Sequence, residues 1–223
     1  MRTLAAALGV ALGMCVLLLA PPQTDRAAAL AVYRIGDTVM LPTLETPDGT
    51  EVALQDVLEG RPEGAPRAAL VIEFWSARCP VSRGYQTKVE ALRDAYAGQG
   101  VDVVAVTARP DESRAEILAR VGSGTAPPLL LIDSQGRLAG QLGIRTTPHF
   151  AVLDASGTLV YSGAFDSNLI ERPDDHTPHH TYLRDALDEL LAERPVTVSR
   201  TRAFGTPLPR PARAAASSPS PRG

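Results

Sequence analysis

Apolar and polar positions in the first half of the chain group into short strands and one helix. Residues 37–58 have the pattern of a strand, a Pro-Asp-Gly turn, a second short strand and a helical turn. Residues 68–75, AALVIEFW, are apolar except for one acid, which is typical of a central strand covered on both faces. The helical spacing of Val89, Leu92 and Tyr96 then predicts a helix, which two glycines stop.

The second half continues this alternation of strands and helices. A strand at residues 101–108 leads to a helix for which Asp111 is the expected cap. A further strand, a short helix and an antiparallel hairpin at residues 149–163 follow, and the last helix has its leucines on one face. This order predicts an α/β fold over residues 33–205, in which helices flank a central mixed sheet with an N-terminal β-hairpin extension.

The two ends of the chain differ in composition from the middle. An arginine precedes an apolar run at residues 4–20 and small residues follow it, so residues 1–29 are typical of a secretory signal peptide, with a retained membrane anchor as the alternative. Cys15 lies inside this run and is interpreted as part of it rather than as a lipidation site. Residues 206–223 are rich in Pro, Ala and Ser, which predicts a disordered tail. We therefore expect an exported protein, periplasmic or extracellular, with residues 4–20 as its only membrane-attachment segment.

The net charge and the number of cysteines limit the functions that the sequence predicts. The formal net charge is −3 at pH 7 and the isoelectric point about 5.8, so no basic surface for nucleic acid is expected. No motif indicates a cofactor. Of the two cysteines, only Cys79 remains if the signal peptide is removed. A lone thiol in an oxidising compartment has no internal disulfide partner, so Cys79 is either an inert buried residue or a reactive group.

The surroundings of Cys79 favour reactivity. The cysteine follows the apolar strand and opens a helix, so backbone N–H groups and the positive end of the helix dipole face its sulfur. Arg78 and Arg83 flank it in the sequence. Both features are expected to lower the pKa of the thiol from its free value of about 8.5. Ser82 stands three positions on, where its hydroxyl is expected to hold a thiolate by a hydrogen bond.

Two further features indicate a site around this cysteine. Glu73 lies inside the most apolar strand, where burial raises the pKa of a carboxyl towards the range useful for proton transfer. Thr147–Pro148 precedes a strand and is a candidate for a cis peptide bond. In this order of elements the loop lies opposite Cys79, so the Thr147 peptide is expected to pair with an incoming chain. His149 is interpreted as a side chain at the start of a strand rather than as a base.

These motifs together resemble the thioredoxin superfamily. EFWSARCPVS at residues 73–82, followed by TTPHFAVLD at residues 146–154, is similar to that superfamily in the spacing of acid, Phe, Trp, Cys and the proline. The N-terminal hairpin resembles the redoxin branch, which includes alkyl hydroperoxide reductase and thiol-specific antioxidant proteins. The resemblance implies a thioredoxin-like fold, a buried acid at Glu73, and substrate contacts from Trp75, Thr147 and Pro148.

The chain departs from these relatives at the positions of a second sulfur. Ser82 replaces the second cysteine of C-x-x-C, and Thr206 stands where similar exported redoxins often carry Phe-Gly-Cys. A peroxiredoxin has a hydroxyl three residues before its cysteine, which Ser76 matches, but Ile72 replaces the preceding proline. The resemblance therefore implies one-cysteine chemistry: a peroxidase in which Ser76 and Arg78 or Arg83 polarise the peroxide, or monothiol disulfide exchange. Both require an external thiol or protein reductant.

A binding module without turnover is the alternative function. Such a module would bind either a client protein or a transition metal. The metal would be bound by a long polar segment before the last helix. This segment contains Asp174, Asp175, His176, His179 and His180. Imidazole suits Cu, Zn or Ni, but the spacing matches no specific site, and a solvated surface loop is the preferred interpretation.

Overall fold

The molecule is described by a computed structural model that covers residues 32–60, 67–121, 129–167 and 179–209. The strands within these ranges are β1 (Thr43–Glu45), β2 (Glu51–Ala53), β3 (Ala69–Trp75), β4 (Val101–Thr107), β5 (Leu130–Ile132), β6 (Thr146–Thr147), β7 (His149–Asp154), β8 (Leu159–Gly163) and β9 (Thr206–Pro207). The α-helices are α1 (Leu54–Glu59), α2 (Pro80–Tyr96), α3 (Arg114–Val121), α4 (Arg137–Gln141) and α5 (Tyr182–Leu191). A 3₁₀ turn, Ala97–Gln99, extends α2.

The expected central mixed sheet is confirmed. Seven strands lie in the order β2-β1-β5-β4-β3-β7-β8 within the described ranges. The pairs β3/β4 and β4/β5 are parallel, whereas β7 pairs antiparallel with β3 and with β8. The N-terminal hairpin β1/β2 joins the β5 edge. The parallel pairs β3/β4 and β4/β5 require crossover connections, and these bring helices onto the faces of the sheet.

The core has two halves, one on each face of β3, because successive side chains of a strand point in opposite directions. Leu70, Ile72 and Phe74 face one cluster, which includes the N-terminal hairpin and α4. Val71 faces the other cluster, in which Phe150 packs against α2 and α5. All of β3 is buried, and each large apolar side chain buried in this way contributes about 1.5–3 kcal/mol to folding. The strand β3, which leads to Cys79, is therefore anchored on both faces.

The start of α3 corrects the expected cap. Ser113 and Glu116 bond reciprocally: each backbone N–H donates to the other residue's side-chain oxygen, at 2.9 and 3.2 Å. This is the capping box of an S-x-x-E sequence. Asp111 instead accepts two bonds from the Arg109 guanidinium, at 3.0 and 2.7 Å.

The domain also extends further than the expected boundary at residue 205. Thr206 and Pro207 form β9, which pairs antiparallel with β6, so the folded domain extends past residue 205. The prediction of a tail from residue 206 was wrong for these residues because backbone pairing, which composition does not register, orders them. The remainder of the predicted tail and residues 1–29 lie outside the described residues. Within the part of the chain that the structure describes, no helix has the length and apolarity to cross a bilayer.

Candidate active site at Cys79

The junction of β3 and α2 places Cys79 at a helix N-terminus. Cys79 is the N-cap residue of α2, and Pro80 supplies the first helical position, where a missing N–H costs nothing. The backbone N–H of Ser82 donates to the Cys79 sulfur at 3.3 Å. The thiol in turn donates to the carbonyl oxygen of Thr147 at 3.0 Å. The sulfur therefore has a hydrogen-bond acceptor, the Thr147 carbonyl, when it is a thiol, and a donor, the Ser82 N–H, when it is a thiolate.

The loop containing Thr147 and Pro148 lies against this sulfur, as expected from the order of elements. The Thr147–Pro148 peptide bond is cis. Thr147 belongs to β6, and its ladder partner on β9 is Thr206. The carbonyl of Thr147 meets the sulfur while its strand edge meets β9, so Cys79 lies between α2, the proline loop and the C-terminal segment. Its side chain is fully buried.

The pKa of Cys79 is lowered from its ordinary value. Burial alone raises the pKa of the thiol, but hydrogen bonds from Thr206 and from the Ser82 N–H favour the thiolate and outweigh that effect. The Ser82 hydroxyl, which was expected to hold the thiolate, has no hydrogen-bond partner among the described residues, so that expectation is corrected to the backbone N–H. The expected lowering of the pKa is thus found, and hydrogen bonds cause it. A larger thiolate fraction near neutral pH makes the sulfur a better nucleophile.

Glu73 lies on the same face of β3 as Trp75 and is fully buried. Neither of its carboxyl oxygens has a hydrogen-bond partner among the described residues. Burial raises the pKa of Glu73 to about 8, and the negative charge of the Cys79 thiolate contributes to this rise. The carboxyl therefore holds its proton at pH 7.

The side chain of Ser76 is occupied by a buried acid that the sequence analysis did not assign. Glu112 accepts hydrogen bonds from the hydroxyls of Ser76 and Thr107 and from the backbone N–H of Arg78, the last at 3.1 Å. Glu112 is buried, and these bonds compensate for the loss of water around its carboxylate. The Ser76 hydroxyl, expected to polarise a peroxide, instead braces the turn before Cys79.

Arg78 is likewise directed away from the sulfur. Its guanidinium donates to Glu116 at 2.6 and 3.1 Å and to Asp111 at 3.4 Å. Arg83 is an exposed residue of α2. The Arg78 guanidinium is thus bonded to acids rather than to the sulfur, which corrects the expectation that it stabilises the thiolate. The effect of Arg83 stays a prediction.

We expect Arg78→Ala to leave the pKa of Cys79 unchanged, because the guanidinium is neutralised by the two acids at the start of α3. The rate of alkylation by iodoacetamide, measured from pH 5 to 10, reports this pKa. Ser82→Pro is the contrasting variant, because it removes the N–H that donates to the sulfur. In this variant the pKa of Cys79 should rise. A raised pKa in Arg78→Ala would contradict the geometry.

Two other residues predicted from the sequence are core residues. Trp75, expected to contact substrate, is 1% exposed and packs with Ala105, Ile117 and Leu130. Its burial corrects that expectation: the ring supports β3 instead of lining a surface. His149 bonds Ser162 through Nε2 at 2.9 Å, and burial lowers its pKa to about 4. It is thus a neutral strand residue, in agreement with the sequence interpretation.

No group of three or more His, Cys, Asp or Glu residues that would hold a metal occurs in the described ranges. Asp174, Asp175 and His176 lie outside those ranges. The exposed His180 donates its backbone N–H to Ser167 at 2.9 Å, and its ring stacks on Tyr182. The proposed metal cluster is therefore only partly within the described chain.

Thr206 is the main site residue that sequence analysis missed. The motif AFGTPL was noted in the sequence only because similar redoxins have a cysteine at the position of Thr206. A threonine in a Pro-rich segment has no sequence pattern that predicts contact with a distant thiol. Glu112 was missed for a related reason. It reads as an ordinary acid before a helix, and its burial depends on β4 and the β3–α2 turn meeting in space.

Comparisons with known proteins agree with this architecture. The family model described as Redoxin matches residues 34–174. The thiol-disulfide oxidoreductase ResA of Halalkalibacterium halodurans is 25% identical over 66% of this chain and 77% of its own. An uncharacterised conserved protein of Geobacillus kaustophilus has a TM-score of 0.67 at 27% identity, covering 82% of this chain and 95% of its own. A hypothetical protein of Sinorhizobium meliloti has a TM-score of 0.64 at 27% identity, covering 79% and 94%. The chain belongs to the Redoxin family and has a thioredoxin-like fold.

Proposed function

We propose that this protein is an exported thiol oxidoreductase that performs thiol–disulfide exchange through the single thiol of Cys79. The observation that carries the proposal is the environment of that sulfur. It lies at a helix N-terminus beside the carbonyl of Thr147, and its pKa is lowered by hydrogen bonds from Thr206 and Ser82. Membership of the Redoxin family and similarity to a thiol-disulfide oxidoreductase support the same chemistry.

The exchange proceeds in two balanced steps. The Cys79 thiolate attacks one sulfur of a substrate disulfide, forming a mixed disulfide while the other substrate sulfur leaves as a thiolate. A second thiolate, from the substrate or from an external thiol or protein reductant, then attacks the mixed disulfide and releases the Cys79 thiolate. Ser82 supplies an N–H to the sulfur but cannot resolve the intermediate, because it carries no thiol.

The neighbouring residues fit these steps. Thr147 lies on a strand edge that forms backbone pairs, in this structure with β9. An extended polypeptide can form the same pairs, so the substrate class that we propose is a protein or peptide disulfide. Glu73, whose pKa is about 8, can take up or release a proton as the charge on the sulfur changes. The apolar run at residues 4–20 supports export, where disulfide substrates persist.

Disulfide exchange is favoured over peroxide reduction because the side chains that would polarise a peroxide, Ser76 and Arg78, already donate hydrogen bonds to acidic residues. A peroxidase of this type needs groups that polarise the peroxide oxygen next to the thiolate. Ser76 is bonded to Glu112, and Arg78 to Glu116 and Asp111. Exchange needs only a nucleophilic sulfur, a leaving thiolate and a bound chain, all of which are compatible with these contacts.

The test compares two oxidants on the full-length chain carrying Cys15→Ser, so that Cys79 is the only thiol. With oxidised glutathione at pH 7 we expect a mixed disulfide carrying one glutathione, stable until excess dithiothreitol reverses it. With stoichiometric hydrogen peroxide we expect thiol loss no faster than for free cysteine.

Mass spectrometry identifies the product formed on Cys79 and thiol titration gives the rate of thiol loss, and together they distinguish exchange from peroxide reduction. Rapid loss to peroxide, with a sulfenic acid trapped by dimedone, would replace our proposal by one-cysteine peroxidase activity. If neither oxidant modifies Cys79 under conditions in which iodoacetamide does alkylate it in the folded protein, the proposed exchange is refuted and the binding module remains.

A further inference from the structure

The strand edge beside Cys79 that a substrate would use is already paired with the chain's own C-terminal segment. We call Phe204–Leu208 the strap. Its Thr206 and Pro207 form β9 and pair with Thr147 and Thr146 of β6. Pairing with β6 satisfies the backbone groups that an incoming strand would otherwise meet.

The approach of the strap to the proline loop is too close for an ordinary residue. A Cβ added to Gly205 would lie 2.0 Å from the Thr147 carbonyl oxygen and 3.2 Å from Cδ of Pro148. Gly205 also has a φ of +147°, which residues with a side chain rarely adopt. Glycine is therefore required where the strap crosses the site, and its substitution provides a specific way to displace it.

The strap is fixed on both sides of this crossing. Before it, the chain runs along β8: the N–H of Thr201 donates to the carbonyl of Ser162 at 3.2 Å. After it, the Arg109 guanidinium donates to the carbonyl of Pro207 at 2.9 Å, and the N–H of Leu208 donates to the carbonyl of Arg145 at 2.9 Å. Leu208 also packs against the core cluster of the hairpin face.

The strap is nevertheless a weakly held element. Its paired part is two residues long, Pro207 is exposed, and Thr206 and Leu208 are only partly buried. Short segments with few buried contacts open at a small fraction of the cost of global unfolding. A cavity of about 510 Å³ lies beside it, lined in part by Leu208, Ile144 and Arg145, and offers space for side chains of a chain bound in its place.

We propose that the strap is an intramolecular stand-in for the polypeptide substrate, which closes the Cys79 site until a substrate strand displaces it from Thr147. The identity of the displacing chain rests on the proposed function, but the closure itself does not. Thr206 then has the position of the residue that a bound substrate presents to the sulfur. Access to Cys79 is accordingly set by the opening of the strap.

The first experiment measures access without requiring turnover. In the full-length Cys15→Ser chain, Cys79 is alkylated either by iodoacetamide or by a maleimide carrying a long polyethylene glycol chain. We expect Gly205→Ala to raise the rate ratio of large to small reagent by at least about tenfold, because the methyl group collides with Thr147. Gly98→Ala is the matched control, since nothing lies within 4 Å of its added Cβ. Equal ratios in the two variants would overturn the proposal.

The second experiment does not depend on weakening the fold. With Thr206→Cys, oxidation by diamide is expected to form a disulfide between Cys79 and the introduced thiol, recorded as a mass loss of two hydrogens and as protection from both alkylating reagents. Pro209→Cys, at an exposed position beyond the strap, is the control and should cross-link far less. Equal cross-linking of the two variants would show that the strap does not lie on Cys79. Both results are independent of whether glutathione or peroxide reacts in the test of the proposed function.

Discussion

Replacing Cys79 by serine is expected to abolish the redox chemistry. The exchange reaction proceeds only through a thiolate, and an alcohol oxygen at the same place neither ionises near neutral pH nor forms a disulfide. Incorporation of glutathione from oxidised glutathione should fall to the amount taken up by Cys15, the one thiol that this variant retains. The change is nearly isosteric, and a hydroxyl can keep both the bond to the Thr147 carbonyl and the bond from the Ser82 N–H. The variant should therefore fold normally.

The chain supplies its own matched control for this substitution. Cys15→Ser removes the other cysteine and should retain all exchange activity. Circular dichroism and a thermal melt on both variants check that the fold is intact. Full activity in Cys79→Ser would refute the site, and loss of activity in Cys15→Ser would move the chemistry to the N-terminal segment.

Replacing Glu73 by glutamine is expected to remove a large pH dependence of stability. The carboxyl has a pKa of about 8 in the folded chain, against an ordinary value of 4.5. Between these values the folded chain holds a proton that the unfolded chain has released, so the free energy of unfolding falls as the pH rises. For this one group the loss amounts to about 3 kcal/mol between pH 4.5 and 7.

Urea unfolding of the two proteins at pH 5, 6, 7 and 8 measures this effect. The difference in unfolding free energy, Glu73→Gln minus the parent with Glu73, should grow by about 1.4 kcal/mol per pH unit over the middle of this range. Taking the difference cancels the titrating groups that do not interact with Glu73. Cys79, whose charge raises the pKa of Glu73, does not cancel, so both proteins are compared in the Cys79→Ser background. Parallel curves would mean that Glu73 ionises normally and has no raised pKa.

Most of the fold was predictable because its signals are local. The continuous apolar run of β3, the helical spacing in α2 and the turn between β7 and β8 each indicate one element without reference to the rest of the chain. The mixed sheet with flanking helices follows from the order of these elements along the chain, whereas the order of the strands in the sheet was not predicted. The short strands β6 and β9 carry no such signal, since two residues cannot display a period.

The site was predictable only in part. Cys79, Ser82 and the Thr147–Pro148 loop come together because the β3–α2 junction and the start of β7 are fixed by the sheet. The directions of the Ser76 and Arg78 side chains were predicted wrongly, because sequence neighbours of a cysteine at a turn point to different sides. Their partners, such as Glu112 and Glu116, lie more than thirty positions away in the sequence.

The buried carboxylate of Glu112 has a consequence for transplanting this site. It joins the turn that presents Cys79 to the end of β4 through hydrogen bonds to Ser76, Arg78 and Thr107. A designer who grafts only the contiguous stretch from Glu73 to Ser82 into another scaffold would leave the turn without its brace. The smallest set of residues that could be grafted is therefore discontinuous in the sequence, and it must include the loop after β4 as well as the segment with Cys79.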